Sequence, residues 1–408
     1  MSAGPRTAIV VGGSLGGLFA ANLLLRAGWD VHVYERAGEP LSGRGAGIVT
    51  HDSLFRALER CGVAIDASLG CEVVGRIALA PDGSVVERLA LPQVLTAWGR
   101  LYHALDSVFP TARHHRGRTL ATVQSEDDRV IARFSDGSAS EADLLVAADG
   151  IRSTVRARWL PEVQPEYAGY VAWRGLADER DLSAPTHATL FDRFGFCLSG
   201  AEHMLGYPVA GPGNSTTPGE RCYNFVWYRP VDERHELESI CTDATGRHHP
   251  MSIPPPLIRA EVIARMRADA RRLLAPQFAE IVEATRQPFF QPICDVQSPR
   301  TVFGRVALLG DAAFVARPHC GAGVAKAAED AMALVDALAV AGRDVARGLA
   351  AYQALRVPAS VVLVERARTL GNALESVTRP HRRRAEARLH HTPQAALREV
   401  AIPLSMID

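Results

Sequence analysis

The stretch TAIVVGGSLGGLFAANLLLRAGWDVHVYERA, Thr7 to Ala37, constrains this chain most: an apolar run, a glycine-rich turn, an amphipathic run, and a second apolar run closed by an acid. Ala8 to Val11 have the character of a buried parallel strand. Gly12, Gly13, Gly16 and Gly17 then let the backbone turn sharply into a helix. Unpaired amides and the positive end of the helix dipole at that turn suit a pyrophosphate, and glycine leaves the backbone bare for its approach. Ser14 stands where the second glycine of Gly-x-Gly-x-x-Gly is expected, between Gly12 and Gly17, and its hydroxyl is able to donate to a phosphate. Glu35 closes the next strand, Asp30 to Tyr34, placed to accept hydrogen bonds from a ribose diol. A carboxylate repels a 2′-phosphate, so the dinucleotide read here is FAD or NAD and not NADP. Leu15 and Arg36 flank these positions and join the candidate contacts.

A chain of 408 residues with 47% hydrophobic content has enough apolar material for a large core and two or three domains. Forty-five basic residues balance forty-five acidic ones, so no net field favours nucleic acid or an anionic membrane, and a small molecule is the expected partner. Seven cysteines without a Cys-x-x-Cys pair give neither a disulfide framework nor a zinc site, and fit a reducing cytoplasm. His114-His115 and His248-His249 lack metal-site spacing and read as loop residues; no metal is expected. Thr7 to Leu25 is uncharged, but its four glycines argue against a signal peptide or a membrane span, and no other stretch is long and apolar enough to cross a bilayer.

Two later segments repeat the logic of an apolar strand ending on an acid: Leu144 to Ala148 before Asp149-Gly150, and Val306 to Leu309 before Gly310-Asp311. The carboxyl ends of strands in an open parallel sheet line the ligand crevice, so Glu35, Asp149 and Asp311 are expected to converge from distant sequence positions. Between Gly169 and about Gln297, aromatic and β-branched runs (YVAWRGL, ATLFDRFGFCL, HMLGYPVAG, CYNFVWYRPV) alternate with turn residues and read as antiparallel strands. Gly211 to Gly219 and Thr242 to Pro256 read as loops, and Leu257 to Leu274 as an arginine-rich amphipathic helix. Val324 to Val340 places Val324, Ala328, Ala331, Leu334, Val335 and Leu338 on one helical face. RPHRRRAEARLHH, Arg379 to His391, reads as a solvated basic helix.

Three motifs now stand in a shared order: the turn at Gly12 to Gly17, AADGIRSTVR at Ala147 to Arg156, and GDAAFVARPHCGAGVAKAAEDA at Gly310 to Ala331. With them the chain resembles the FAD-dependent aromatic hydroxylases, the flavoprotein monooxygenases that include para-hydroxybenzoate hydroxylase. EPLSGRGAGIV (Glu39 to Val49), AGYVAWRGL (Ala168 to Leu176), NFVWY (Asn224 to Tyr228) and ARPHCGAGVAKA (Ala316 to Ala327) point within it to the hydroxypyridine-hydroxylating branch. The likeness covers nearly the whole chain and thins after about Gly371.

The resemblance implies an α/β fold. A discontinuous Rossmann-like FAD-binding domain (1–168 and 298–370) joins a substrate domain built on a mixed or antiparallel sheet (169–297), followed by C-terminal helices and a tail (371–408). It implies that Glu35 binds the adenosine ribose, that Asp149 lies near the nucleotide crevice, and that Asp311 holds the ribityl chain. Gly321, Ala322, Gly323 and Val324 would face the flavin pyrimidine ring, where a helix N-terminus stabilises the anionic reduced flavin by up to roughly 1 to 2 kcal/mol. Gly47, Ile48 and Val49 are further cofactor contacts. Many relatives carry histidine where Phe314 stands, and many an FAD-contacting arginine where Trp98 stands, which the hydroxypyridine branch also lacks; Arg100 or Arg113 is the candidate replacement.

Arg317 and His319 directly precede the helix start and are expected to border the ring where flavin and substrate meet, with His319 suited to general base work. His203, Tyr207 and Tyr228 lie on predicted substrate-domain strands, and Tyr207 is taken as a third catalytic candidate. The implied reaction is NADPH- or NADH-driven hydroxylation of an electron-rich hydroxyaromatic ring by FAD and dioxygen through a C(4a)-hydroperoxide, with no nucleic acid or membrane partner. A homodimer is compatible with this. Alternatives stay open: another hydroxyaromatic or purine-like substrate, a noncatalytic flavin-binding protein, or an NAD-dependent dehydrogenase that leaves the Asp311 block unexplained. A flavin-dependent halogenase would carry Trp-x-Trp-x-Ile-Pro, which is absent.

Overall fold

A computed structural model of the chain describes residues 4–41, 47–379 and 389–402. Part of the EPLSGRGAGIV block (42–46) and most of the basic RPHRRRAEARLHH run (380–388) lie outside them.

The nucleotide-turn segment folds as its pattern requires. Thr7–Val11 is a strand, Leu15–Arg26 a helix and Asp30–Glu35 a second strand, parallel to the first with Val10 beside Val33. They belong to a six-stranded sheet ordered Val302–Phe303, Val306–Leu308, Leu144–Ala147, Thr7–Val11, Asp30–Glu35, His114–Arg116. All its pairings are parallel except that of the edge strand Val302–Phe303. Parallel strands are covered on both faces and must be apolar throughout, which is why Val10, Val31, Val33, Leu144 and Ala307 are all buried. The helices Leu15–Arg26 and Gly323–Ala341 close one face: Leu18, Phe19, Ala328, Ala331, Leu334, Val335 and Leu338 pack into one core. Each large side chain buried there contributes roughly 1.5 to 3 kcal/mol. The predicted face of the second helix therefore holds, with Val324 half-buried at its start.

The second sheet has eight strands, ordered Phe314–Val315, Phe289–Gln297, Glu166–Asp178, Cys222–Pro230, Glu202–Val209, Arg193–Ser199, Gly75–Leu79, Val85–Leu89. Two features depart from the sequence reading. The run ATLFDRFGFCL is not one strand: residues up to Leu190 finish a short helix, and Arg193–Ser199 pairs parallel to Gly75–Leu79. The hairpin Gly75–Leu89, assigned by position to the first domain, supplies an edge of this sheet, because its inward residues Ile77 and Leu79 find their apolar partners there. The arginine-rich helix begins at Ala260 and not at Leu257, since Pro254, Pro255 and Pro256 hold the chain in a short 3-10 turn first.

One face of this sheet carries Tyr170, Ala172 and Arg174, then Asn224, Val226 and Tyr228 in register beside them, then Leu205 and Tyr207. This face looks toward the carboxyl end of the parallel sheet. The C-terminal chain also differs from a tail. A single helix runs from Val345 to Thr378, and Leu389–Ile402 returns to the second sheet through the short helix Pro393–Glu399. Arg76, fully buried, locks that return by donating to the carbonyls of Leu397, Val400 and Ala401 at 3.0, 2.6 and 2.9 Å.

Candidate active site

The crevice starts where Thr7–Val11 meets its helix. Gly12 has φ +102°, and a Cβ there would lie 2.3 Å from the Ala148 carbonyl oxygen. A Cβ on Gly17 would lie 1.8 Å from the Gly12 oxygen, so helix and strand approach as only glycine allows. Ser14 is the N-cap with its side chain bonded to none of the first-turn amides, and buried Leu15 anchors the turn from below. The Glu35 carboxylate is held by two backbone donors, Gly13 N–H and Ala37 N–H, each at 2.8 Å, while Arg36 points into solvent.

Asp149 and Asp311 end neighbouring strands, as expected. One Asp149 oxygen accepts from Val155 N–H at 3.3 Å; the other is buried without a partner, and burial pushes the carboxyl pKa up. Asp311 is open to the crevice, yet the surrounding protein raises its pKa, and nearby Lys326 and Arg156 act against that rise. The turn that presents it is fixed from behind. Asp330 accepts from Gly310 N–H (3.1 Å), Lys326 (3.3 Å) and Arg356 (2.7 Å).

A cavity of about 400 Å³ continues from Asp311 to the face of the eight-stranded sheet. On the cofactor side it is lined by Gly47, Ile48 and Val49, and by Gly321, Gly323 and Val324 at the helix start. Gly321 takes φ +61°, its carbonyl lies 3.0 Å from His51 Nε2, and Ala322 instead faces a neighbouring cavity with Lys326. On the sheet side stand Arg174, Leu205, Tyr207, Val226 and Tyr228. Gly47 must be glycine: a Cβ would lie 2.3 Å from the Tyr207 ring, and its N–H donates to Asn224 Oδ1 at 2.8 Å. Burial raises the Tyr207 hydroxyl and carries that of Tyr228 to about 12, while the charge of Arg174 opposes both shifts.

Four sequence candidates are turned elsewhere. Of the triplet before the helix start, Pro318 lines the cavity, but Arg317 and His319 do not. His319 is fully buried, with Nε2 2.8 Å from Tyr170 Oη and its ring 4.4 Å from that of Tyr228. Burial, then His203 and Arg317, hold its pKa well below the usual histidine range, so it stays neutral. Arg317 is clamped between Asp295 and Glu375, at 2.8 Å each. Adjacency to the helix start fixed the backbone path, whereas the short turn Pro318–Cys320 sends these two side chains into the layer between sheet and helix. Arg113 pairs with Asp30 at the opposite end of the strand from Glu35 (3.0 Å), and Arg100 donates to the Ser68 hydroxyl. His203 also sits behind the wall, its pKa lowered to about 3 by burial. Phe314 is in the core, and Trp98 stacks on Tyr102.

This geometry agrees with the comparisons. The chain matches the family described as FAD binding domain-like over residues 167–295, and the FAD binding domain family over 291–367. It is 36% identical over 331 residues to 2,6-dihydroxypyridine 3-monooxygenase of Paenarthrobacter nicotinovorans, covering 80% of this chain and 81% of that one. The chain belongs to the FAD-dependent aromatic hydroxylases. The solved structure of 2,6-dihydroxypyridine-3-hydroxylase from Arthrobacter nicotinovorans superposes with a TM-score of 0.86 at 31% identity, over 92% of this chain and 94% of that one. 6-Hydroxynicotinate 3-monooxygenase of Pseudomonas fluorescens is 29% identical over 357 residues, 84% of each chain.

This hydroxylase is thus an FAD-dependent monooxygenase that uses NAD(P)H as co-substrate. Its residues fit FAD: the glycine cradle at Gly12 and Gly17 is bare, and two buried polar atoms at the crevice, Asp149 Oδ1 and His114 Nε2, have no protein partner. His114 was read as a loop residue. It lies on an edge strand of the parallel sheet, with Nδ1 2.9 Å from Asp106 and Nε2 beside Gly13. Arg174, Asp330 and Ala401 were also missed. Ala401 lines the cavity from the returning C-terminal segment and donates its N–H to the His319 carbonyl at 2.7 Å. Only Arg174 carried a usable signal, a charge inside the apolar strand AGYVAWRGL. Among the described residues no helix is long and apolar enough to cross a membrane.

Proposed function

We propose that this hydroxylase acts on a small, flat, hydroxylated nitrogen heterocycle of the hydroxypyridine class, adding a hydroxyl ortho to an existing one. The observation that carries this reading is the ring cavity. The cavity of about 400 Å³ also takes in the residues that would face the flavin, which leaves room for one small ring at the sheet face, where apolar Leu205, Val226 and Ile293 stand with Tyr207, Tyr228 and Arg174; Arg152, Ser252, Gln291 and Asp311 complete the polar lining. Relatives named for 2,6-dihydroxypyridine and 6-hydroxynicotinate support the substrate class.

FAD, when bound, supplies hydride acceptance from NAD(P)H and the activation of dioxygen. The chain does the rest. In the proposed assignment Glu35 accepts from the adenosine ribose, the free amides at Ser14 and Leu15 meet the pyrophosphate, Asp149 and Asp311 hold the crevice end of the cofactor, and Gly321 to Val324 direct helix amides at the flavin. The apolar wall excludes water from the reacting centre, and Tyr207 and Tyr228 orient the ring hydroxyls. The seven cysteines, all free and buried, support operation in a reducing compartment such as the cytoplasm.

The test is a screen of hydroxypyridines, hydroxynicotinates and hydroxybenzoates for NAD(P)H consumption matched by hydroxylated product. The reading predicts tight coupling with a hydroxypyridine. Oxidation of NAD(P)H without hydroxylated product across all three classes would refute it.

A further inference from the structure

The arginines buried around the ring cavity are committed to protein partners. Arg76 is held by three carbonyls and Gln93, Arg156 by the carbonyls of Ala312 and Ile151, and Arg317 by Asp295 and Glu375. Arg174 differs. It stands on the cavity wall between Tyr207 and Tyr228, its neighbours in the sheet are Val226 and Phe289, and its Nε is buried without a hydrogen-bond partner. Among the described residues no carboxylate forms an ion pair with it. Asp311, the one acid on the cavity wall, is under the influence of Lys326 and Arg156.

A guanidinium against an apolar wall costs stability unless an anion completes it, and its planar donors match an oxyanion held in the plane of a ring. We propose that Arg174 is the anion-recognising residue of the cavity, binding the substrate as its ring oxyanion. This deepens the proposed function, on which it rests. Loss of the ring proton makes a hydroxyaromatic carbon more nucleophilic, so the residue that selects the anion also selects the form able to accept an electrophilic oxygen. Arg174 thereby takes the role that the sequence assigned to His319: no proton need be removed inside the cavity when the anion is what binds.

The test uses 4-nitrophenol, whose anion is yellow and whose neutral form is not, titrated into the FAD-loaded protein, with 4-nitroanisole as the uncharged ring of similar shape. The wild type should bind nitrophenol as the anion, even slightly below the solution pKa of the probe. Arg174→Gln should weaken anion binding about tenfold or more, the loss of a charge-assisted contact, with 4-nitroanisole binding unchanged. Arg174→Lys, which keeps the charge and most of the stem, should recover part of the loss and serves if the glutamine variant does not fold. Nitrophenol bound in its colourless form by the wild type, or variants that hold the anion as tightly as the wild type, would overturn the proposal. No turnover is involved: anion binding through Arg174 without coupled product would refute the hydroxypyridine reading alone, and coupled turnover with Arg174-independent binding would refute this one alone.

Discussion

The nucleotide crevice and the ring cavity adjoin each other but are built by opposite strategies. In the crevice, the proposed contacts sit on backbone and on strand ends: glycines without side chains, and carboxylates that close parallel strands at Glu35, Asp149 and Asp311. In the cavity, the proposed contacts sit on side chains that one sheet face presents, walled by segments far apart in sequence: Gly47, Arg174, Tyr207, Pro318 and Ala401. The first strategy leaves a local signature, because strand, turn and helix are consecutive. The second does not, because which side of a wall a residue faces depends on register and on the turn before it.

Substitutions on the two sides of the cavity wall give the sharpest contrast. Arg317→Met should have the largest effect, and on stability: it removes the buried cation that Asp295 and Glu375 hold, with Asp295 keeping only Arg368 at 3.1 Å, and breaking a buried pair on one side typically costs about 3 to 5 kcal/mol. Chemical denaturation reads this; a variant of wild-type stability that had lost only turnover would return Arg317 to the catalytic role its sequence position suggested.

Next comes Glu35→Ala, on the crevice side. Losing charge-assisted bonds costs roughly 1.5 to 3 kcal/mol, so FAD affinity should fall about ten- to a hundredfold in a flavin titration while the ring cavity still binds 4-nitrophenolate. Superimposable flavin titration curves would separate Glu35 from the ribose.

His319→Gln should be smaller still. Losing the bond to Tyr170 costs roughly 1 kcal/mol of stability, and the ratio of product to NAD(P)H consumed should stay near that of the wild type. A general base is typically worth about 100- to 10,000-fold, so a collapse of coupling in a folded, flavin-loaded variant would contradict its placement behind the wall.

The parallel strands Thr7–Val11, Asp30–Glu35, Leu144–Ala147 and Val306–Leu308 and the helix Gly323–Ala341 were legible because apolar runs, glycines and acids recur with the period of each element. The position of Glu35, Asp149 and Asp311 at the ends of those strands was legible for the same reason. Arg317 and His319 misled because proximity along the chain says nothing of side-chain direction, and Pro318 between them takes the place at the cavity. The hairpin Gly75–Leu89 was opaque: its parallel partner Arg193–Ser199 is over a hundred residues away, and alternation alone does not name a partner. Ala401 was invisible for a simpler reason. An alanine carries no chemical signal, and it reaches the cavity only because Arg76 gathers the carbonyls around it.

In the proposed reaction, crevice and cavity together deliver one atom of dioxygen to a ring held against Tyr207, Tyr228 and Arg174. Turnover of the hydroxypyridine that couples best, under ¹⁸O-labelled dioxygen in ordinary water, tests this most directly by mass spectrometry of the product. One labelled oxygen per product molecule is expected. An unlabelled product, with its new oxygen drawn from water, would contradict it.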